Sequence, residues 1–198
     1  MATTARRVVR RPGGTSPVAG AWYCGLDPSL TGYGVVFYQP STGEHRDITV
    51  KTDPVGPKEA PGVRMRALHG ALLGLFSGFP DVDIVCMEKA AFAASGAYTG
   101  GICHAMTAFA LIDAYEGKLA ARPAMVVNST LKKFVSGKGT GPKSAMMMHV
   151  LKKWGYEAPN DNLADAYGLA RLAAALRSGS ELKYESECIK TVLGNWQP

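Results

Sequence analysis

Cysteine is scarce in this sequence and follows no metal-binding pattern. The four cysteines, Cys24, Cys86, Cys103 and Cys188, form no C-x-x-C pair and no Cys/His cluster with the spacing of a zinc site. Cys24 and Cys86 lie inside apolar runs, which predicts small, buried core residues. These absences argue against a zinc site and favour a reducing compartment, so we expect a cytoplasmic protein.

Long apolar runs are missing as well. No stretch approaches the roughly 20 residues that cross a bilayer, and residues 1–20 carry four arginines without the apolar core of a secretory signal. We therefore expect no membrane association. Residues 1–20 are expected to form a flexible basic tail, residues 21–178 one folded domain, and residues 179–198 a C-terminal extension.

Acidic residues are outnumbered by basic ones. The chain has 22 Lys and Arg against 16 Asp and Glu, which gives a formal net charge of +6. This balance favours a polyanionic partner, because each contact between a basic side chain and a phosphate releases a counterion. With 46% hydrophobic and only 19% charged residues the chain can bury a sizeable core, so wholesale disorder is excluded.

The order of predicted elements indicates an α/β fold. Three β-like segments separated by turn residues come first, as in an antiparallel meander, and strands then alternate with helices. The predicted strands are 21–26, 32–38, 45–50, 83–87 and 124–127, and the predicted helices are 63–76, 98–115, 144–154 and 163–176. A loop is predicted over 53–61, and Asn128 or Ser129 is expected to cap another helix.

Four acidic residues stand where a carboxylate needs an explanation. Asp27 ends the first predicted strand in G-L-D-P-S-L-T-G-Y-G, and Glu88 ends the fourth in D-I-V-C-M-E. Asp161 and Asp165, in N-D-N-L-A-D-A, have the i, i+4 spacing that puts both carboxylates on one helix face. Each alone has an ordinary explanation: a loop Asp capping its own turn, a surface Glu beside Lys89, or an acid favoured at a helix N-terminus.

Together the four acids predict an all-oxygen site for a hard divalent ion. Mg²⁺ prefers a few carboxylates together with water and substrate phosphate. Two such ions about 4 Å apart would activate a water and stabilise the leaving oxygen in phosphodiester hydrolysis. Without metal the like charges would repel one another. The four histidines show no spacing typical of a triad or metal site and are interpreted as structural or surface residues.

The motifs together resemble the RuvC family of Holliday junction resolvases over residues 22–176. In chain order they are G-L-D-P-S-L-T-G-Y-G, M-E-K-A-A-F, N-S-T-L-K-K-F-V-S-G-K-G-T-G-P-K-S and D-N-L-A-D-A. The resemblance implies a ribonuclease H-like fold with a five-stranded mixed sheet flanked by helices. It also implies a homodimer that nicks four-way DNA junctions in recombination and repair, using two Mg²⁺ ions for which Mn²⁺ can substitute.

The resemblance assigns metal-binding and catalytic roles to Asp27, Glu88 and Asp165 by motif position. Bacterial members place the remaining acid three residues before the last Asp, where this chain has Asn162. Phage, mitochondrial and poxviral relatives place it four residues before, which is Asp161, so Asp161 is the expected fourth ligand. That spacing also favours a phage-type protein acting in the cytoplasm of its host.

The resemblance also implies DNA contacts. Lys132 and Lys143 match family lysines that hold the scissile strand, and Lys133 and Lys138 flank them. The spacing of Gly137, Gly139 and Gly141 predicts a flexible glycine-rich loop where backbone can approach phosphate. Phe92 lies near the position of an aromatic residue that wedges into the junction centre, although its spacing is one residue longer than in bacterial members and a buried Phe is the alternative. The long helix rich in small residues corresponds to the family's dimer helix.

Other functions stay open on the sequence alone. A ribonuclease H or flap-type nuclease on the same fold would differ in its preferred substrate. A junction-binding protein without catalysis would tolerate the loss of Asp27, Glu88 or Asp165. The turn after Asp27 also resembles the phosphate-binding turn of actin-like ATPases, but 198 residues are too few for the two duplicated domains that grip ATP.

Overall fold

The structure is a computed structural model and describes residues 18–52, 61–90, 97–141 and 143–196. The strands are β1 (Trp22–Asp27), β2 (Tyr33–Tyr38), β3 (His45–Val50), β4 (Val82–Glu88) and β5 (Ala124–Val126). The helices are α1 (Pro61–Ser77), α2 (Ala97–Tyr115), α3 (Asn128–Ser136), α4 (Lys143–Trp154), α5 (Asp161–Ser178) and α6 (Lys183–Asn195). The predictions for loop residues 53–60 and for Phe92, and those for residues 1–17 of the basic tail, lie outside the described residues.

The five strands form one mixed sheet in the order β3-β2-β1-β4-β5. β1, β2 and β3 pair antiparallel, as the predicted meander requires. β4 pairs parallel with β1, and β5 pairs parallel with β4, because helices on the sheet faces carry the chain back between these strands. The predicted five-stranded mixed sheet flanked by helices is confirmed.

The strands bury side chains on both faces of the sheet. Along β1, Tyr23 packs with the helices of one face, whereas Cys24 and Leu26 pack with the helices of the other. Side chains alternate in this way because successive residues of a strand point to opposite faces. One layer contains α3, α4, α5 and α6, and the other contains α1 and α2.

Helix α5 lies directly on the backbone of the central strands, and two glycines make this approach possible. A Cβ added at Gly25 would lie 1.9 Å from the Ala166 carbonyl oxygen and 2.4 Å from the Ala170 nitrogen. A Cβ added at Gly34 would lie 2.5 Å from the Asn162 carbonyl oxygen. Gly34 pairs with Asp27 across the β1–β2 ladder, so the first turns of α5 are held over the end of β1.

The end of the chain forms a helix that the sequence analysis did not predict. α6 lies within the segment expected to be a C-terminal extension, and Cys188, Ile189, Val192 and Trp196 are buried in the same core as α5. The indole Nε1 of Trp196 donates to the Arg122 carbonyl oxygen at 2.9 Å. The extension is thus packed onto the sheet through spaced apolar residues on one helix face.

The expected cap of α3 was wrong. Val127 is the N-cap, and no side chain caps the helix there. The backbone amides of Thr130 and Leu131 donate to the Val127 carbonyl oxygen at 2.9 and 3.1 Å, so the first turn closes through the backbone alone. The Asn128 side chain instead contacts Glu88. In the described part of the chain, no helix combines the length and the apolar character that spanning a bilayer requires.

Candidate metal centre

Two strand-end carboxylates lie side by side because their strands are parallel. Leu26 of β1 pairs with Met87 of β4, so Asp27 and Glu88, the next residues, leave the sheet at the same edge. Asp165 reaches this edge from the second turn of α5, which the close approach at Gly34 places over the end of β1. The carboxylate oxygens of Asp27, Glu88 and Asp165 lie within 4.8 Å of one another.

Asp27 is the most buried of these acids, with 9% of its surface exposed. Burial raises the pKa of Asp27 from its ordinary 3.8 to about 9. A hydrogen bond to Glu88 and the negative charges of Glu88, Asp165 and Asp161 act in the same direction. Three acids held this close are therefore stable only when a proton or a cation reduces their mutual repulsion.

The donor set fits a hard divalent cation. All three ligand atoms are carboxylate oxygens, which Mg²⁺ and similar ions prefer over nitrogen or sulfur donors. No cysteine belongs to the group, and a bound cation would lower the cost of keeping Asp27 ionised. The carboxylates Asp27, Glu88 and Asp165 could thus hold a metal ion.

Asp161, the expected fourth acid, begins α5 one turn before Asp165 and is exposed. Its Oδ1 accepts a hydrogen bond from the neighbouring Asn162 amide at 3.1 Å, and its charge raises the pKa of Asp27. Asp161 lies outside the three-carboxylate group found among the described residues. Its negative charge links it to that group, through its effect on the pKa of Asp27. Asn162 donates from its Nδ2 to the Gly32 carbonyl oxygen, so its amide tethers the glycine turn to α5.

Glu88 is held by two side chains that the sequence analysis did not single out for the site. Asn128, the first residue of α3, donates from Nδ2 to Glu88 Oε1 at 2.7 Å. His104 of α2 lies between two backbone carbonyls, with Nε2 2.7 Å from Glu88 O and Nδ1 2.8 Å from Gly100 O. His104 thus links α2 to the end of β4 beside the site.

Hydrogen bonds that involve a side chain of α1 hold the turn that follows Asp27. The Leu30 carbonyl oxygen accepts hydrogen bonds from Arg64 Nη2 at 2.9 Å and from Thr52 Oγ1 at 2.6 Å. Arg64 Nε also donates to Thr52 Oγ1 at 2.8 Å, which joins the turn, the end of β3 and α1. This network restrains the backbone immediately after the most buried acid.

Of the four expected DNA-binding lysines, three have described side chains. Lys132 and Lys138 line a cleft of about 200 Å³ between α3, the glycine-rich loop and α4, together with His149. Lys133 forms an ion pair with Glu187 of α6 at 2.7 Å. The side chain of Lys143, which begins α4, lies outside what the structure describes, as does Phe92.

The glycine-rich loop returns to the start of α3. A Cβ added at Gly139 would lie 3.5 Å from the Ser129 carbonyl oxygen, and Ser129 directly follows the residue that contacts Glu88. The basic loop therefore lies next to the helical turn that borders the carboxylates.

One of the two side chains that contact Glu88 could have been predicted from the order of the strands. Glu88 pairs with Val126 in the parallel β4–β5 ladder, so a residue just after β5 lies at the same sheet edge. The polar Asn128 stands two residues beyond Val126. The contact of His104 depends on where α2 packs, and no spacing in the sequence indicates it.

The sheet order and its flanking helices define a ribonuclease H-like α/β fold, with three carboxylates at one sheet edge. Solved structures of Thermus thermophilus RuvC share this fold. The one in complex with a Holliday junction substrate superposes with a TM-score of 0.62 at 20% identity, covering 80% of this chain and 96% of that one. A second RuvC structure from T. thermophilus gives a TM-score of 0.57 at 20% identity, covering 88% and 98%.

Sequence comparison adds no further relative. No family model matches the chain, and no curated protein matches its sequence. At 20% identity the likeness to RuvC establishes a common fold over most of both chains.

Proposed function

We propose that this chain is a metal-dependent, structure-selective endonuclease that nicks four-way (Holliday) or branched DNA junctions by phosphodiester hydrolysis. The observation that carries the proposal is the convergence of Asp27, Glu88 and Asp165 within 4.8 Å at the edge of a RuvC-like sheet. The similar T. thermophilus RuvC was solved with a Holliday junction substrate, which supports the same substrate class here.

Asp27, Glu88 and Asp165 are the proposed metal ligands, with Asp161 as the fourth acid and two Mg²⁺ ions, or Mn²⁺, as the cofactor. When bound, such ions activate a water molecule and stabilise the leaving oxygen of the scissile phosphate. The chain contributes a preformed arrangement, because parallel strands and the close approach of α5 fix the carboxylates before substrate arrives. Burial of Asp27 limits competition from bulk water at that carboxylate.

Lys132, Lys133, Lys138 and Lys143 are the proposed contacts to DNA phosphates, and Phe92 the proposed wedge at the junction centre. The position of the glycine-rich loop beside the first turn of α3 supports this assignment. The ion pair of Lys133 with Glu187 joins two exposed side chains, so it is screened by solvent and easily replaced by a phosphate. Contacts of this kind add affinity that falls with salt.

A homodimer through α2 is part of the proposal. Phe109 and Ile112 expose 56% and 50% of their surfaces on this helix, one turn apart on the outer face of the α1–α2 layer. An apolar face of this kind is stabilised by burial against a second copy. Two copies would supply two metal centres, which paired nicking of a junction requires.

We further propose action in recombination or repair in the cytoplasm, or in a host cytoplasm if a phage encodes the chain.

Cleavage of labelled substrates tests the function. A synthetic four-way junction, a linear duplex and an RNA–DNA hybrid are incubated with the full-length protein in Mg²⁺ or in EDTA. We expect nicks in the junction, lost with EDTA, and little cutting of the linear duplex. Preferred cleavage of the hybrid would identify a ribonuclease H instead, and tight junction binding without cutting in Mg²⁺ or Mn²⁺ would identify a binding protein.

A further inference from the structure

The Glu88 carboxylate accepts a hydrogen bond from a neutral donor in a neighbouring element. Asn128 Nδ2 donates to Glu88 Oε1 at 2.7 Å, a short and well-formed hydrogen bond between half-buried side chains. The amide carries no charge, so it orients the carboxylate without neutralising it.

Asn128 is itself firmly placed. It begins α3 directly after β5, whose pairing with β4 puts Val126 opposite Glu88. Leu131, Phe134 and Val135 anchor α3 in the core of the α5 layer. The donor is thus carried on an element that packing holds in place, as a group that orients a metal ligand must be.

The side chain of Asn128 has no part in starting its helix. Val127 is the N-cap, and its carbonyl oxygen accepts the amides of Thr130 and Leu131. Asparagine is common at helix starts because its side chain caps free amides, but here the cap is made by the backbone. The described contact of the Asn128 amide is with the acid across the sheet edge.

We propose that Asn128 is a positioning residue that fixes the Glu88 carboxylate for metal binding. This inference rests on the proposed function, because it takes Glu88 as a metal ligand. Groups that hydrogen-bond a metal ligand change metal affinity by roughly 10–100-fold when they are removed. Loss of the Asn128 amide removes one of the restraints on the Glu88 carboxylate, so the cation must order it further as it binds.

The test is the dissociation constant of Mn²⁺ alone, measured at one fixed pH by the EPR signal of free Mn²⁺, with no DNA present. The full-length wild type is compared with Asn128→Ala, Asn128→Ser and the control Ser129→Ala, an exposed neighbour on the same turn. Serine can cap a helix but is too short to reach Glu88, so it separates the two roles. Melting of the metal-free proteins checks that each variant is folded.

We expect both Asn128 variants to bind Mn²⁺ about 10-fold or more weakly, with Ser129→Ala unchanged. In a Glu88→Gln background, Asn128→Ala should add less than about a twofold loss, because the two residues act as a unit. Wild-type affinity in both Asn128 variants would overturn the inference and leave the proposed function standing, as would full rescue by serine. A wild type that binds no Mn²⁺ would overturn both, whereas Mn²⁺ binding without junction cleavage would overturn the proposed function alone.

Discussion

Asp27 occupies an environment that favours its neutral form in the absence of a cation. Only 9% of its surface is exposed, and its carboxyl group is hydrogen-bonded to Glu88. The charges of Asp165 and Asp161 add to these effects, and the pKa of Asp27 rises to about 9. An acid whose folded pKa lies above its unfolded value binds its proton more tightly in the folded state. Its contribution to stability is complete below the unfolded pKa of 3.8 and is lost as the pH rises towards about 9.

We therefore expect the free energy of unfolding of the metal-free wild type to fall between about pH 5 and about pH 8. The fall should be larger than that of Asp27→Asn by on the order of 1–4 kcal/mol. Urea unfolding in EDTA at the two pH values measures this difference. Adding Mg²⁺ at the higher pH should restore wild-type stability and leave the variant nearly unchanged. Equal pH slopes for the two proteins would contradict the assigned environment of Asp27.

The two acids of α5 differ in position, and their loss should differ in effect. Asp165 lies within the carboxylate group, whereas Asp161 is exposed one turn away. We expect Asp165→Asn to lower junction cleavage at least about 100-fold and Asp161→Asn about 10-fold, in line with a direct and a more distant ligand. Glu157→Gln, an exposed acid before α5, is the control. An Asp161→Asn protein as active as this control would remove Asp161 from the ligand set.

At the residue scale, sequence reasoning found the carboxylates because each interrupts an apolar segment. Asp27 and Glu88 end buried strands, and Asp165 is embedded among the apolar residues of α5. Asn128 and His104 could not be found by this reasoning, since each is ordinary in its own segment. Their role appears only when β5 pairs with β4 and α2 packs against the sheet.

At the element scale, the approach of α5 to β1 sets the geometry of the site. The Cβ of an alanine at position 25 would overlap the α5 backbone, so the helix that carries Asp165 would have to move. We expect Gly25→Ala to lower the free energy of unfolding by about 1–3 kcal/mol or more and to weaken cleavage along with it. Urea unfolding and junction cleavage measure the two effects.

Gly74→Ala is the matched control for this change. Gly74 is exposed in α1, and an added Cβ would meet no atom within 4 Å. Alanine there should stabilise the helix by about 0.5–1 kcal/mol. A Gly25→Ala protein with wild-type stability and activity would show that α5 can be displaced without disturbing the site.

Most elements could be predicted from periodicity and turn residues, and the predicted strands and long helices agree with the structure within a few residues. α6 was not predicted because its buried Cys188, Ile189 and Val192 are interspersed with charged residues and follow a polar turn. The spacing of these three residues is helical, but it extends over only about one turn and is a weak indication of a helix. The close approach at Gly25 depends on which helix crosses which strand, which a single sequence does not contain.

At the scale of the whole molecule, the exposed Phe109 and Ile112 of α2 carry the proposed dimer interface. We expect Phe109→Glu to convert a dimer into a monomer in light scattering after gel filtration, because a buried charge without a partner is costly at an interface. Paired nicking of a junction should then give way to single nicks. Leu151→Glu, on α4 in the opposite layer, is a control with similar exposure. A Phe109→Glu protein that stays dimeric would place the interface elsewhere.

The order of strands across the whole sheet could be predicted only through resemblance to a known family. The meander β1-β2-β3 follows from its short turns, but the parallel pairing of β1 with β4 joins segments about 60 residues apart. Solved RuvC structures have a similar fold at 20% identity. This strand order explains why Gly25 and Gly34 lie under α5 and why Asp27 and Glu88 lie side by side at the strand ends.

Nicking of a labelled four-way junction by wild type and by Asp27→Asn, with junction binding measured in parallel, tests the central claim most directly. We expect the wild type to make symmetric nicks in Mg²⁺ and none in EDTA. Asp27→Asn should bind the junction with similar affinity and cut it at least about 1,000-fold more slowly, because the cluster loses a ligand and not a DNA contact. An Asp27→Asn protein that nicks at the wild-type rate would contradict a role for this carboxylate cluster in cutting DNA.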